Sequence, residues 1–406
     1  MRLTTTFQYR GKMYTCRNQS GFALIVVLGI LILVTGLAIV AFNTSDTDRQ
    51  IASNNLNTTR SYYAAEAGII RATSMLVDSM WRAGFTNQSI GNATYDVRVI
   101  DSLTSGYASL KDSIMLRAVG RDKGTESQID VLMAKVKLRQ FRWAAFGDTA
   151  VKVTGGAFFD SYDSDSGTYI SQAIHGPDAD GNMYSGPLGG NVGGNGQIDA
   201  SGNSSVHGDV ITPDTVVIGS ANIYGTVSSS GSTTYLPPIT TAEMDYAKAN
   251  SNAPGGLILS GGASYDPSTK TLSGNSGTVT LSSGIYYFSS ISMKSNIIIA
   301  PGAKVIIYTD GNIDAKGDIV NSSLKAENFQ IYSTGSSVSL NSGTTMYAVI
   351  YAPNAAITIN GGSDAYGSFI GKSVKGNGGA HIHFDRSLLK INRNKIKYEK
   401  VAWKAY

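Results

Sequence analysis

Residues 20–42 read SGFALIVVLGILILVTGLAIVAF, an uncharged and mainly apolar run that begins abruptly at Phe22 and ends at Phe42. Its 21 residues would span about 31 Å as a helix, which is enough to cross the hydrocarbon core of a bilayer. An ordinary secretory signal has a shorter apolar region, which precedes its cleavage site and is removed. Here the small residue Gly21 precedes the run, so cleavage at this point would leave the apolar helix in the mature protein.

The charges before Gly21 predict how this segment is oriented. The leader contains four basic residues and no acidic one: Arg2, Arg10, Lys12 and Arg17. The whole chain has a net charge of +4, so the part after Gly21 is neutral. An excess of basic residues holds a segment on the cytoplasmic side of a membrane, which places the rest of the chain outside the cytoplasm.

Neutral charge and the position of the cysteine exclude some classes of protein. A nucleic-acid-binding surface would normally be clearly basic, so no nucleic-acid partner is expected. The only cysteine, Cys16, lies in the leader, and the exported part would therefore contain no disulfide. The exported part must be stabilised by its core alone, which a chain of 406 residues allows.

Two motifs in the first 80 residues resemble a known family. The junction Gly21-Phe22 followed by the apolar run resembles the class III leader of type IV prepilins. The segment Tyr63-Ala64-Ala65-Glu66-Ala67-Gly68-Ile69 resembles a hallmark of PilX-type pilus assembly proteins, and the two together cover residues 18–80. The resemblance implies that residues 1–21 are a prepilin leader, which prepilin peptidase cuts between Gly21 and Phe22. A plain signal anchor with the same orientation is the alternative.

The apolar pattern predicts one long helix. No proline occurs between Phe22 and Trp81, and an apolar stripe continues at helical spacing through Tyr62, Ala65, Ile69, Ala72, Leu76 and Met80. Residues 22–42 would be the transmembrane half, and the amphipathic half would end near Gly84 and pack on a globular head. The small residues around Glu66 favour close approach of another helix or sheet. The candidate subunit-packing residues are Val26, Tyr63, Ala64, Ala65, Glu66, Ala67 and Gly68.

Val26 is a departure from the family pattern. In most major pilins the fifth residue of the mature chain is a glutamate, which pairs with the N-terminal amine of a neighbouring subunit. A charge inside a membrane segment is costly and is retained only for a function, so its absence indicates that this subunit lacks the usual link. The resemblance therefore implies a minor pilin at or near a filament tip. Simple tolerance of the loss would also explain Val26.

Two kinds of β-structure are predicted after the helix. Alternating runs at Tyr95–Ile100, Ile114–Val119 and Ile129–Val136 predict a small antiparallel sheet against the helix. Beyond residue 154 the chain holds 35 of its 46 glycines, among short β-rich runs such as Asn296–Ile299. Their close spacing suits a β-sandwich or a parallel β-helix, and the Asn-Gly corners favour the β-helix.

The predicted fold is therefore α+β, with a pilin-like part at residues 43–140 and a parallel β-helix at 141–390. Residues 391–406 are rich in lysine and are predicted to form a solvated basic tail. Residues 351–362, 366–378 and 381–385 resemble the β-helical domain that is often fused to PilX-type N-termini. That resemblance implies a fold and no chemistry.

Few residues offer chemistry. His381, His383 and Asp385 alternate, so a strand would present them on one face, where they could bind a divalent metal. No fourth ligand is evident, and a polar, solvent-facing strand in an end coil explains them as well. Two pairs of aspartates resemble the starts of calcium loops: Asp163 with Asp165, and Asp178 with Asp180. Met183 and Gly189 stand where an EF-hand needs glycine and glutamate, so we expect no EF-hand. An irregular calcium loop and turn-forming aspartates are the two alternatives, and no cofactor is expected.

Two classes of function are compatible with these features. The first is a structural minor pilin of a type IV pilus-like filament, which assists assembly and surface contact or adhesion. Its partners would be other pilins and minor pilins, prepilin peptidase and, for adhesion, surface glycans. It would begin as a single-pass inner-membrane precursor and end at the cell surface.

The second class is a β-helical protein that binds or cleaves polysaccharide, because such enzymes share this architecture. Asp310, Asp314 and Asp318 could form a cluster of acids, but turn formation explains them equally. The sequence contains no recognisable catalytic triad or phosphate-binding loop, so we do not expect an enzyme.

Overall fold

The computed structural model describes residues 6–9, 11–15, 20–76, 81–137, 140–175, 184–185, 189–340, 345–362, 364–391 and 396–406. The chain divides into two compact units. The helix–sheet unit comprises Met1–Val136 and Ile396–Tyr406, and the solenoid unit comprises Lys137–Lys395.

The helix–sheet unit contains one long helix and an antiparallel sheet. Its first elements are β1 (Thr6–Tyr9), β2 (Lys12–Thr15), α1 (Ser20–Met75), β3 (Phe85–Ile90), β4 (Ala93–Ile100), β5 (Ser113–Asp122) and β6 (Thr125–Lys137). Strands β1 and β2 form a hairpin, and β3 to β6 pair antiparallel in chain order. The predicted helix and sheet are confirmed, although α1 ends at Met75 rather than near Gly84.

Helix α1 has two halves with different surroundings. Every side chain from residue 23 to residue 56 is exposed, including the apolar run from Ala23 to Phe42. Among the described residues, α1 alone is long and apolar enough to cross a membrane. From Asn57 onward one face is buried at helical spacing: Asn57, Ser61, Ala64, Ala65, Gly68, Ile69 and Ala72, with Leu76 just beyond the helix end. Met80 of the predicted stripe lies outside the described residues.

The solenoid unit is built from short strands joined by tight corners. Its strands are β7 (Ala145–Val153), β8 (Phe158–Tyr162), β9 (Ile174–His175), β10 (Tyr184–Ser185), β11 (Val192–Gly194), β12 (Gln197–Ala200), β13 (Ser205–Val206), β14 (Val210–Ile211), β15 (Val216–Ile218), β16 (Asn222–Ile223), β17 (Val227–Ser228), β18 (Leu257–Ser260), β19 (Ala263–Asp266), β20 (Thr271–Gly274), β21 (Thr278–Leu281), β22 (Gly284–Phe288), β23 (Ser290–Met293), β24 (Asn296–Ile299), β25 (Val305–Thr309), β26 (Ile313–Ala315), β27 (Ile319–Asn321), β28 (Phe329–Ser333), β29 (Ser337–Leu340), β30 (Met346–Asn360), β31 (Asp364–Asn377) and β32 (His381–Asp385). Its helices are α2 (Tyr169–Gln172) and α3 (Thr241–Ala249), with short 3₁₀ turns at Ala326–Asn328 and Arg386–Lys390.

Parallel pairing stacks most of these strands into a β-helix, as predicted, while β9–β10, β18–β21 and β19–β20 pair antiparallel. One aliphatic residue from each successive coil lies in register with the next: Leu272, Ile291, Ile313, Val338, Ile357, Val374, Val151, Ile198 and Val216. All except Val216 at the end of the row are buried. The stack therefore buries one continuous apolar ladder, which explains how the unit is stable without disulfides.

The order of the coils in the stack differs from their order in the chain. Strands β7 and β8 are the first in the unit, yet they pair with β31 and β32, the last strands, on one side. On the other side they pair with β11, β12 and β13. The chain thus starts in the middle of the solenoid, runs to one end, crosses to the other end and returns to the middle.

A crossover segment, residues 229–256, connects the two ends of the stack. A capping box stabilises the N-terminus of its helix α3, in which Thr240 N donates a hydrogen bond to the Glu243 carboxylate at 2.8 Å. Thr234 N donates to Asn195 at 2.6 Å, beside β11, while the Tyr351 hydroxyl of β30 donates to Pro237 O at 2.6 Å. The crossover segment therefore contacts the coil that contains β11 and the coil that contains β30. These two coils lie on opposite sides of the first coil, which contains β7 and β8.

The C-terminal segment differs from the prediction of a solvated tail. It forms β33 (Ile396–Ala405), which lies next to β6 in the five-stranded sheet. Tyr398 is buried in the core of the helix–sheet unit and accepts a hydrogen bond from Arg82 at 2.7 Å. Lys400 and Lys404 are exposed, so these two lysines are solvated as expected, although they belong to a strand of the sheet.

Candidate functional site

The small residues of the segment of residues 63–69 lie at the contact between α1 and the sheet. Ala64 and Ala65 are buried, and a Cβ at Gly68 would lie 2.8 Å from the Tyr95 ring. A Cβ at Gly120 of β5 would lie 1.9 Å from Ser61 O. These small residues therefore let the helix and the sheet approach each other closely within one chain. The predicted close approach of a sheet to these small residues is confirmed, and the assignment of Ala64, Ala65 and Gly68 to packing between subunits stays a prediction.

The other predicted assembly residues are accessible to a partner. Tyr63 is 61% exposed, Glu66 and Ala67 are half-buried, and Val26 lies exposed in the apolar half of α1. Tyr63 and Arg60 line a groove that continues over Ile90. Gly21 and Phe22 lie in the first turn of α1, and their side chains are outside the described part of the chain.

A stack of rings runs across the coils in the middle of the solenoid unit. Parallel register aligns Tyr347 of β30, Tyr366 of β31 and His383 of β32. The ring centroids are 4.4 Å apart for the two tyrosines and 4.5 Å apart for Tyr366 and His383. The register of three coils, rather than any local motif, therefore brings these rings together.

His383 is held on one edge by a buried carboxylate. Its Nδ1–H donates to Asp160 of β8, the residue in register with it on the first coil. The Tyr169 hydroxyl donates to the same carboxylate at 2.7 Å, and the Tyr169 ring lies 4.1 Å from the imidazole. Thr168 caps α2 by accepting from Ser171 N, which fixes the turn that carries Tyr169. His383 is only 2% exposed.

The opposite edge of His383 faces a second carboxylate and a second histidine. Its Nε2 lies 3.6 Å from Asp364 Oδ1, and His381 Nδ1 lies 3.0 Å from the same oxygen. Burial lowers the pKa of His383, but the Asp160 and Asp364 carboxylates outweigh burial and raise the pKa to about 9. Burial also opposes ionisation of Asp364, but the hydrogen bond from His381 and the nearby His383 imidazole hold the pKa of Asp364 below its usual range.

The structure brings together two of the three residues that alternation predicted. His381 and His383 converge, but Asp385 accepts hydrogen bonds from Ser164 N and Ser387 N, each at 3.0 Å. Asp364, rather than Asp385, provides the carboxylate beside the two histidines. The sequence pattern did not reveal Asp364 because it belongs to the preceding coil. The expectation of a solvent-facing strand in an end coil was wrong, since β32 lies mid-stack and His383 and Asp385 are buried.

The aspartates that resemble the starts of calcium loops have other partners where the structure describes them. Asp165 pairs with Lys325 at 2.9 Å and with Lys390, so two ammonium groups already neutralise it. Asp163 accepts from Asp165 N at 3.0 Å, which is an ordinary turn contact. Asp178 and Asp180 lie outside the described residues.

The aspartates considered for catalysis have structural partners. Asp310 accepts from the Tyr287 hydroxyl at 2.7 Å and pairs with Lys248 of α3 at 3.3 Å. Asp314 pairs with Lys316 at 3.2 Å. Asp318 N donates to Asn296 Oδ1 at 3.0 Å, which joins neighbouring coils.

Comparison with known proteins gives a partial match. Residues 289–391 match a family described as a domain of unknown function (DUF7305). No curated protein matches the chain. Among solved structures, the chain is similar to the competence-associated pilin ComZ from Thermus thermophilus, with 12% sequence identity and a TM-score of 0.27. That similarity covers 86% of this chain and 98% of the ComZ chain. A TM-score this low does not support an argument about fold or role.

Proposed function

We propose that this protein is a pilin-like structural subunit of a type IV pilus-like filament. The observation that carries the proposal is helix α1, whose apolar half is exposed from residue 23 to Phe42 while its other half packs on an antiparallel sheet. Such an apolar surface is not stable in water and requires a membrane or the core of a filament. The basic leader and the Gly21-Phe22 junction support processing by prepilin peptidase. The precursor would then sit in the inner membrane as a single-pass protein.

Val26 supports a position at or near the tip of the filament. A major pilin carries a glutamate at this place, which pairs with the N-terminal amine of a neighbouring subunit. Valine offers no charge for that pairing, so the subunit is proposed to end a filament rather than to extend it. Few copies per filament follow from such a position. Tyr63 and Glu66, which stay accessible on α1, are proposed to contact other pilins or minor pilins.

We propose a display role without catalysis for the solenoid unit. Asp310 and Asp314, the best acid candidates, are each paired with a lysine. A groove enzyme needs an acid or base with a free face and a suitable pKa in a cleft. The proposed role is contact with surfaces or glycans at the end of the filament. Incubation with polysaccharides should release no new reducing ends or unsaturated products.

Labelling of filaments tests this function. Filaments sheared from cells that make a labelled chain should carry the label at their ends, and cells without prepilin peptidase should yield no labelled filaments. Val26→Glu should restore the missing charge and spread the label along the shaft. Val27→Glu adds the same charge one residue away, where it faces another side of the helix, and should leave the label at the ends. Even labelling along wild-type filaments would rule out the tip position, and its absence from all filaments would rule out the pilin-like role.

A further inference from the structure

We propose that Asp364, His381 and His383 bind a divalent metal ion of the zinc class in the middle of the solenoid unit. One ligand atom from each of the three residues lies within 4.8 Å of the other two. Zinc holds nitrogen and oxygen ligands at about 2.0–2.2 Å, so tetrahedral ligands lie about 3.4 Å from one another. The distances of 3.0 Å and 3.6 Å from Asp364 Oδ1 to His381 Nδ1 and His383 Nε2 bracket this value.

The strongest support is a buried nitrogen that lacks a hydrogen bond. His383 is 2% exposed, and its Nε2 has no hydrogen-bond partner among the described residues. Buried polar atoms of this kind are nearly always paired, and a bound ion or water is the usual explanation for one that is not. The atom faces Asp364, whose carboxylate lies beyond hydrogen-bond distance. A metal ion that displaces the proton of His383 Nε2 would bind between them and satisfy both groups.

The surroundings of His383 are those of a metal-ligating histidine. Such histidines commonly donate the other ring N–H to a carboxylate, which fixes the tautomer and directs the free lone pair at the metal. Asp160 accepts from His383 Nδ1 and is held in turn by the Tyr169 hydroxyl. Tyr366 and Tyr169 lie against the imidazole at 4.5 Å and 4.1 Å and prevent it from turning.

The ligand set determines which metal fits. Calcium and magnesium prefer oxygen ligands, whereas two imidazoles and one carboxylate suit zinc and related transition metals. Three protein ligands leave a fourth position, which water or an outside donor can take. The side chains of His381 and Asp364 are 40% and 41% exposed, so this position is reached from solvent.

The position in the fold indicates what the metal would do. Asp364 lies on β31 and both histidines lie on β32, while Asp160 comes from β8 in the first coil. A bound ion would join the last two coils directly and would connect them to the first coil through Asp160. The proposed metal would therefore hold the last coils of the solenoid unit against its first coil. Its binding should stabilise the unit.

Zinc binding to the full chain tests the proposal. The protein should be prepared in detergent without a histidine tag, stripped with chelator and dialysed before Zn²⁺ alone is added. We expect one Zn²⁺ per chain by elemental analysis after equilibrium dialysis, and a higher melting temperature for the solenoid unit. Asp364→Asn and His381→Gln should each weaken zinc binding at least tenfold (loss of even a supporting group typically costs about 10–100-fold). Both side chains are well exposed, so these variants are expected to fold.

Asp314→Asn is the matched control, because the Asp314 side chain is also 41% exposed and lies in the same unit. It should bind zinc as the wild type does. Circular dichroism of each variant verifies folding before binding is compared. A wild-type chain that binds no zinc would overturn the proposal. Zinc binding that is equally tight in the wild type, Asp364→Asn and His381→Gln would overturn it as well.

Discussion

Replacing Val151 with aspartate is expected to abolish cooperative folding of the solenoid unit. Val151 is fully buried on β7 and lies between Val374 of the last coil and Ile198 of the next. A carboxylate at this place would be buried between the aliphatic side chains of Val374 and Ile198. Burying an unpaired charge costs several kcal/mol, and the lost valine adds about 1.5–3 kcal/mol. The sum approaches the whole stability of a typical domain, which is about 5–15 kcal/mol.

Val216→Asp is the matched control, because Val216 belongs to the same ladder but occupies its end. It is partly exposed and has Ile198 on one side only. In a stack of coils each coil contacts only its neighbours. We therefore expect the terminal coil that carries Val216 to unfold locally in this variant, while the other coils stay folded. Thermal melting followed by circular dichroism should show a cooperative transition for Val216→Asp and none for Val151→Asp. Similar melting of the two variants would contradict the observed order of coils.

Gly120→Ala is expected to destabilise the helix–sheet unit by at least about 3 kcal/mol, near the upper end of the cost of overpacking. The added Cβ would meet Ser61 O at 1.9 Å and Ala65 N at 2.6 Å. Both are backbone atoms of α1, which cannot move aside as a side chain can. The helix must therefore separate from β5, and the buried hydrogen bond between Ser61 and Ser127 would be lost with it.

Gly36→Ala is the control for this substitution, because it makes the same change on α1 where no atom lies within 4 Å. Hydrogen exchange of peptides from β4, β5 and β6, measured by mass spectrometry, should be much faster in Gly120→Ala than in the wild type. Gly36→Ala should exchange as the wild type does. Wild-type protection in Gly120→Ala would show that the helix does not need this close contact.

Local patterns were sufficient to predict the elements of the fold. The apolar run and the stripe that follows it predicted α1, and the alternating run at Tyr95–Ile100 became part of β4. The short run at Asn296–Ile299 became β24 without change. Alternation indicates which face of a strand is buried, but it does not identify the neighbouring coil. The pairing of Val151 with Val374 therefore could not be predicted.

The same limit explains the candidate metal site. Alternation placed His381 and His383 on one face, which the structure confirms. Asp364 and Asp160 come from other coils, so only the register between coils reveals them. The C-terminal strand could not be predicted for a different reason: in residues 398–406 only Tyr398 is buried and the next four residues are all exposed, so no alternation marks a strand there.

The most direct test of the pilin-like function is the N-terminal residue of the protein extracted from membranes. In cells with an active prepilin peptidase, N-terminal sequencing should begin at Phe22, with the apolar run retained. Gly21→Val should leave the leader attached, whereas Gly11→Val changes a glycine inside the leader and should be processed normally. Protein that begins at Met1 in the presence of the peptidase would contradict the proposed function.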